Sequence, residues 1–226
     1  MQAAEPSARR PGNARLVVWC SLVGLVAALN FAARAEGRKP GNNIFYDWTN
    51  AIGGAVQYAF LLGIALAIAV GLPWREVFAL RRPTSWRTAA KVAGLVLVAL
   101  YVAGIVVSQF GNPSKEQGLT PHHWNGHRAG AFVANLLVVA IVAPVIEELI
   151  FRGLGFTLFE RFGERTAVVA IGVAFGLWHG LVIALPLLIL FGGGLAYLRA
   201  RTRSVYPGIV LHSLFNTIAV IASLLL

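Results

Sequence analysis

Residues 129–158 read AGAFVANLLVVAIVAPVIEELIFRGLGFTL. Ala129 through Ile146 carries no charge, and neither does Gly153 through Leu158. The stretch has the length and polarity of a membrane-crossing helix, which needs about 20 apolar residues. Near its middle sit Glu147, Glu148 and Arg152. An ionisable side chain at that depth costs roughly 2.5–3.5 kcal/mol on insertion scales, so three together mark a place where charge works or is paired.

The rest of the chain agrees with a membrane protein. Of 226 residues, 58% are hydrophobic and 12% charged, with a mean hydropathy of +0.72; soluble globular domains are far less apolar. Seven apolar segments follow one another at about 16–33, 50–72, 89–110, 129–158, 166–184, 186–199 and 205–226. The expected fold is an all-α polytopic bundle of about seven transmembrane helices, with no room for a sizeable soluble domain. We divide it into 1–128, a basic segment and three helices, and 129–226, a core carrying the chemistry, together one membrane domain. The fifth and sixth segments are parted near Pro186, where a helix starts more easily than it continues. Gly192-Gly193-Gly194 in the sixth suits close helix–helix approach.

Charge orients the bundle. One side collects Arg9, Arg10 and Arg15 before the first segment, Arg75 through Lys91 between the second and third, Arg152, Arg161 and Arg165 around the junction of the fourth and fifth, and Arg199, Arg201 and Arg203 between the sixth and seventh: 14 of the 19 Lys and Arg. The positive-inside rule puts that side, and the N-terminus, in the cytoplasm. The net charge of +10 is therefore read as topology and contact with the lipid bilayer, not as a nucleic-acid surface. Ala33-Arg34-Ala35 resembles a signal-peptide cleavage site, but the apolar run before it is longer than usual, and a retained first helix is expected. Cys20, the single cysteine, is expected as a small buried apolar residue.

Several hydrolytic patterns are excluded. Asp47 is the only aspartate, so no aspartyl dyad exists within the chain. Neither H-E-x-x-H nor G-x-S-x-G occurs. His122, His123 and His127 crowd one loop, but Pro121 and Gly126 oppose a helix that would align them, and a polar external loop is expected there. Glutamate and the remaining histidines, His179 and His212, are left. Phe175-x-x-x-His179 and His212-x-x-x-Asn216 stand on apolar helices, and i,i+4 spacing puts His212 and Asn216 on one face. Glu148 and Arg152 share the same relation and can neutralise each other, whereas Glu147 points about 100° away. Counted along each helix from the nearest basic anchor, Glu147, His179 and Asn216 all lie ~20 Å deep.

In this order, Glu147-Glu148-x-x-x-Arg152, Phe175-x-x-x-His179 and His212-x-x-x-Asn216 resemble the signature of the CAAX protease and bacteriocin-processing (CPBP) family of intramembrane endopeptidases. Leu190 through Tyr197 resembles that family's approach to its last motif. The resemblance covers roughly 130–220. It implies an enzyme of the cell membrane that hydrolyses a peptide bond in a membrane-associated protein or peptide. By the same resemblance, Glu147 activates water with help from His179, His212 and Asn216 stabilise the oxyanion, and Glu148 and Arg152 order the site. Water is expected to enter from the cytoplasm or laterally from lipid. The favoured mechanism needs no cofactor; the alternative is a zinc enzyme with Glu147, His179 and His212 as ligands. Competing classes are a channel or transporter and a non-catalytic immunity or scaffold protein.

Overall fold

The computed structural model describes residues 12–37, 44–113, 116 and 124–224. Within them the chain is helical, with no strand among the described residues. The helices are α1 (Asn13–Ala35), α2 (Trp48–Ile68), the short α3 (Trp74–Val77), α4 (Trp86–Ser108), α5 (Gly126–Phe162), α6 (Glu164–Trp178), α7 (Leu185–Thr202) and α8 (Tyr206–Ser223). Five of these, α1, α2, α4, α5 and α8, are long and apolar enough to cross a bilayer. The hairpin of α6 and α7 completes the seven expected segments. It breaks after Trp178, earlier than expected, and Pro186 lies in the first turn of α7.

Local chemistry sets the ends. Asp47 caps α2 by accepting from the Thr49 N–H at 2.9 Å, and Ser85 caps α4 through the Thr88 N–H at 3.2 Å. Proline also sits in the first turn of α8, where its missing N–H costs nothing. Outward surfaces are apolar: Phe60, Val98, Tyr101 and Phe110 are exposed, as lipid-facing side chains should be. Cys20 is likewise exposed. The expectation that it is buried fails because an apolar residue on a spanning helix is as well solvated by lipid as by protein.

Because lipid is itself apolar, helices in a membrane associate through close packing and hydrogen bonds. The α6–α7 hairpin relies on glycine. A Cβ at Gly172 would stand 2.9 Å from Gly193 Cα, so the two backbones touch. This is the close approach expected from the glycine triplet. Beside the hairpin, Trp19 of α1 meets Phe151 and Phe159 edge to face at 5.9 and 5.7 Å. With Ile150, Leu154 and Phe156 it forms a dry core.

α5 is not a uniform α-helix. Residues Val138–Val142 and Leu149–Gly155 are π-helical, flanking the α-helical Ala143–Glu148. Proline explains the first of these. The Ala143 N–H bonds back to Val138 O, and Pro144 has no N–H, so Val139 O is left without a backbone donor. Asn216 of α8 supplies one, its Nδ2 donating at 2.9 Å. At the second π segment, Trp19 Nε1 donates to Ile150 O at 3.0 Å. Side chains from other helices thus satisfy carbonyls that α5 exposes, as a low-dielectric interior requires.

Candidate active site

Glu147 and Glu148 end the α-helical turn of α5 and are buried. Glu148 forms the i,i+4 pair with Arg152 that their spacing predicts, Nη1 donating to Oε1 at 2.8 Å. Arg152 Nη2 also donates to Gly192 O at 3.0 Å, and its guanidinium lies over the Phe175 ring at 4.3 Å. Both side chains are wholly inaccessible. Gly208 of α8 leaves the space for this carboxylate: a Cβ there would be 2.5 Å from Glu148 Oε2.

Glu147 faces elsewhere, as its 100° offset requires. Its Oε1 accepts from the Tyr58 hydroxyl of α2 at 2.6 Å. His212 stands between the two carboxylates, Nδ1 at 3.2 Å from Glu148 Oε1 and Nε2 at 3.8 Å from Glu147 Oε2. Phe175 and Phe191 meet its ring edge to face at 5.7 and 5.3 Å. His179 is at the C-terminal end of α6 with Nδ1 at 2.8 Å from Phe175 O. A carbonyl only accepts, so Nδ1 carries the proton and Nε2 is left as an acceptor.

Glu147, His179, His212 and Asn216 line one cavity of about 830 Å³, together with residues of α1, α2, α5, α6, α7 and α8. Glu148 and Arg152 lie beneath it. The cavity runs from Glu147 past Tyr58, Gln57, Gly54, Gly53, Asn50 and Thr49 to Asp47, Asn30 and Val220. These last residues lie at or near the ends of α2, α1 and α8 that are remote from the arginine-rich loops. Between the site and those loops, Ile150, Phe151, Leu154 and Phe156 are completely buried. The cavity therefore extends from Glu147 toward the end opposite the basic one.

Tyr58 is the site residue that motif reading missed. It lies in 1–128, outside every motif, so the two stretches divided in sequence build one site. The available signal was weak: Gln57-Tyr58, a polar pair one turn after Gly53-Gly54 in an otherwise apolar helix. Among the described residues, no three His, Cys, Asp or Glu side chains are grouped to hold a metal ion. His127 is in the turn that opens α5; His122 and His123 lie outside the described residues.

Fold and site together define a multi-pass integral membrane protein with a carboxylate–imidazole centre inside its helix bundle. Residues 129–218 match the family model described as type II CAAX prenyl endopeptidase Rce1-like. Over 90 residues the chain is 36% identical to a curated protein of Bacillus subtilis (strain 168) named "Putative membrane peptidase YdiL". That match takes in 39% of this chain and 37% of the relative, so the chain spans little more than a third of the curated relative it matches. No solved structure matches. These matches, and the motifs they contain, make residues 129–218 similar to the CAAX protease and bacteriocin-processing family.

Proposed function

We propose that the protein is an intramembrane endopeptidase that hydrolyses a peptide bond of a membrane-associated substrate, with Glu147 as general base. One observation carries the reading. Glu147 is a buried carboxylate that faces the cavity of about 830 Å³, fixed on one oxygen by Tyr58 and flanked at the other by His212.

Glu147 takes a proton from water as the water oxygen bonds to the scissile carbonyl carbon. The carbonyl oxygen becomes an oxyanion. Breaking the C–N bond then returns the Glu147 proton to the leaving nitrogen, giving a carboxylic acid and an amine, between which the acid proton passes to leave a carboxylate and an ammonium. A positioned base of this kind contributes about 10²–10⁴ in rate. His179, with its Nε2 lone pair toward the cavity, accepts from the attacking water and orients it.

Oxyanion donors come from α8. Asn216 uses one amide N–H on Val139 O and keeps the other for the site. His212 donates through Nε2–H when doubly protonated; the cluster of two carboxylates, Arg152 and His212 is then neutral. Each such donor is worth about 3 kcal/mol in the transition state. Glu148 holds the His212 ring from behind, and Arg152 balances Glu148. This route needs no metal, and activity should survive exhaustive chelation.

The test compares membrane-tethered peptides, by terminal mass spectrometry, in cells carrying wild type and Glu147→Gln at equal abundance. New termini that depend on Glu147 support the reading. Identical peptide sets overturn it in favour of a non-catalytic role.

A further inference from the structure

We propose that the active-site cavity is entered from the extracytoplasmic face, and that the substrate is an extracytoplasmic segment of a membrane-tethered chain. This rests on the endopeptidase reading and adds the side and the kind of substrate to it.

Three observations converge. The first is the course of the cavity, from Glu147 along α2 to Asp47 and Thr49. Asn50, Gly53, Gly54 and Gln57 recur at three- and four-residue intervals, so they lie on one face of α2. That face is polar or bare of side chain, a stripe on which an extended peptide can be solvated and hydrogen-bonded. It stops at Tyr58, whose hydroxyl holds the proposed base.

The second is the short hairpin. α6 has 15 residues, ~22 Å of helix, against a bilayer core of about 30 Å. Its turn into α7 therefore stops short of the face on which α2 begins, leaving a vestibule above His179. The turn is built for that position. Asn30 Nδ2 donates to Trp178 O at 2.6 Å, and Glu116 accepts from the N–H groups of Val182 and Ala184, both at 2.8 Å. Gly180 adopts φ +63°, and a Cβ there would fall 2.6 Å from Asn30.

The third is charge. Arg75, Arg81, Arg82, Arg161, Arg201 and Arg203 lie at the opposite, sealed end. By the positive-inside rule that end is cytoplasmic, which puts the vestibule outside. A cytoplasmic tail would have to pass the core of Phe151, Leu154 and Phe156 to reach Glu147. A segment outside the membrane meets open, polar volume instead.

Single cysteines introduced in a Cys20→Ser background test this. Thr49→Cys and Gln57→Cys lie at the mouth and along the stripe; Thr84→Cys marks the sealed end. A membrane-impermeant maleimide added to intact cells should modify Thr49→Cys and Gln57→Cys, and reach Thr84→Cys only after permeabilisation. Modification of Gln57→Cys from outside should also abolish the Glu147-dependent termini. Labelling of Thr84→Cys from outside, or of Thr49→Cys only after permeabilisation, overturns the proposal. Labelling needs no turnover, so it can be read in the Glu147→Gln background. The endopeptidase reading and the side of entry thus fail by different results.

Discussion

Glu147 and Glu148 are adjacent in the chain, yet the surroundings on their two sides of α5 differ in kind. On the Glu147 side are a cavity, hydroxyl and amide groups, and glycines that keep volume open. On the Glu148 side every neighbour is packed: Arg152, the Phe175 ring, Gly208 and the aromatic core. His212 joins the two, one nitrogen toward each carboxylate. Two like groups in a low-dielectric interior repel unless their environments part them, and here one is committed to an ion pair while the other faces the cavity.

Replacement of both carboxylates in turn is the strongest way to break this contrast. Glu147→Gln should lose about 10²–10⁴ in cleavage rate while accumulating normally in the membrane. Glu148→Gln leaves Arg152 buried and unpaired and should cost ~3–5 kcal/mol of stability, read as lower abundance and an earlier thermal transition in detergent. Neutralising Arg152 as well should restore part of that loss. If Glu148→Gln is stable but inactive and Glu147→Gln keeps wild-type cleavage, the roles are reversed.

Tyr58→Phe sharpens the same contrast on the open side. It removes one hydrogen bond to a charged acceptor, worth about 1.5–3 kcal/mol, without changing the ring. The expected result is a roughly 10- to 100-fold lower turnover, with unchanged abundance and a shifted pH–rate profile. A purely structural tyrosine would lower abundance and leave the profile in place.

Sequence alone went far on the closed side and less far on the open one. The seven apolar segments, the Glu148–Arg152 pair and the glycine contact in the hairpin are all set by spacing, and spacing is legible. The π segments are not, because π and α turns draw on the same residues, and a proline such as Pro144 does not by itself say which carbonyl it frees. Tyr58 was hidden because its partner is 89 residues away. The direction of the cavity was hidden for another reason. It depends on α6 ending at Trp178, and the apolar run through Ala184 gave no sign that the helix stops there.

The smallest expected effect is at the vestibule rim, where Glu116 ties the α6–α7 turn to Arg34. Partial burial alone would raise its pKa, but the N–H groups of Val182, Ala184 and Ile183, with the Arg34 charge, hold it below its ordinary value of 4.5. A depressed carboxylate stabilises the folded state at pH above its unfolded value. That contribution fades as the pH falls through the lower, folded value. Wild type should therefore exceed Glu116→Gln at neutral pH by about 1 kcal/mol or less, the worth of a surface charge at a helix N-terminus. The two thermal transitions should converge once the pH drops well below 4.5. If the turn matters to substrate entry, Glu116→Gln should also raise KM while leaving kcat alone, since no reacting atom is touched. A gap between the two proteins that stays constant with pH would instead assign the difference to packing, and the rim carboxylate would have no electrostatic part in holding the turn.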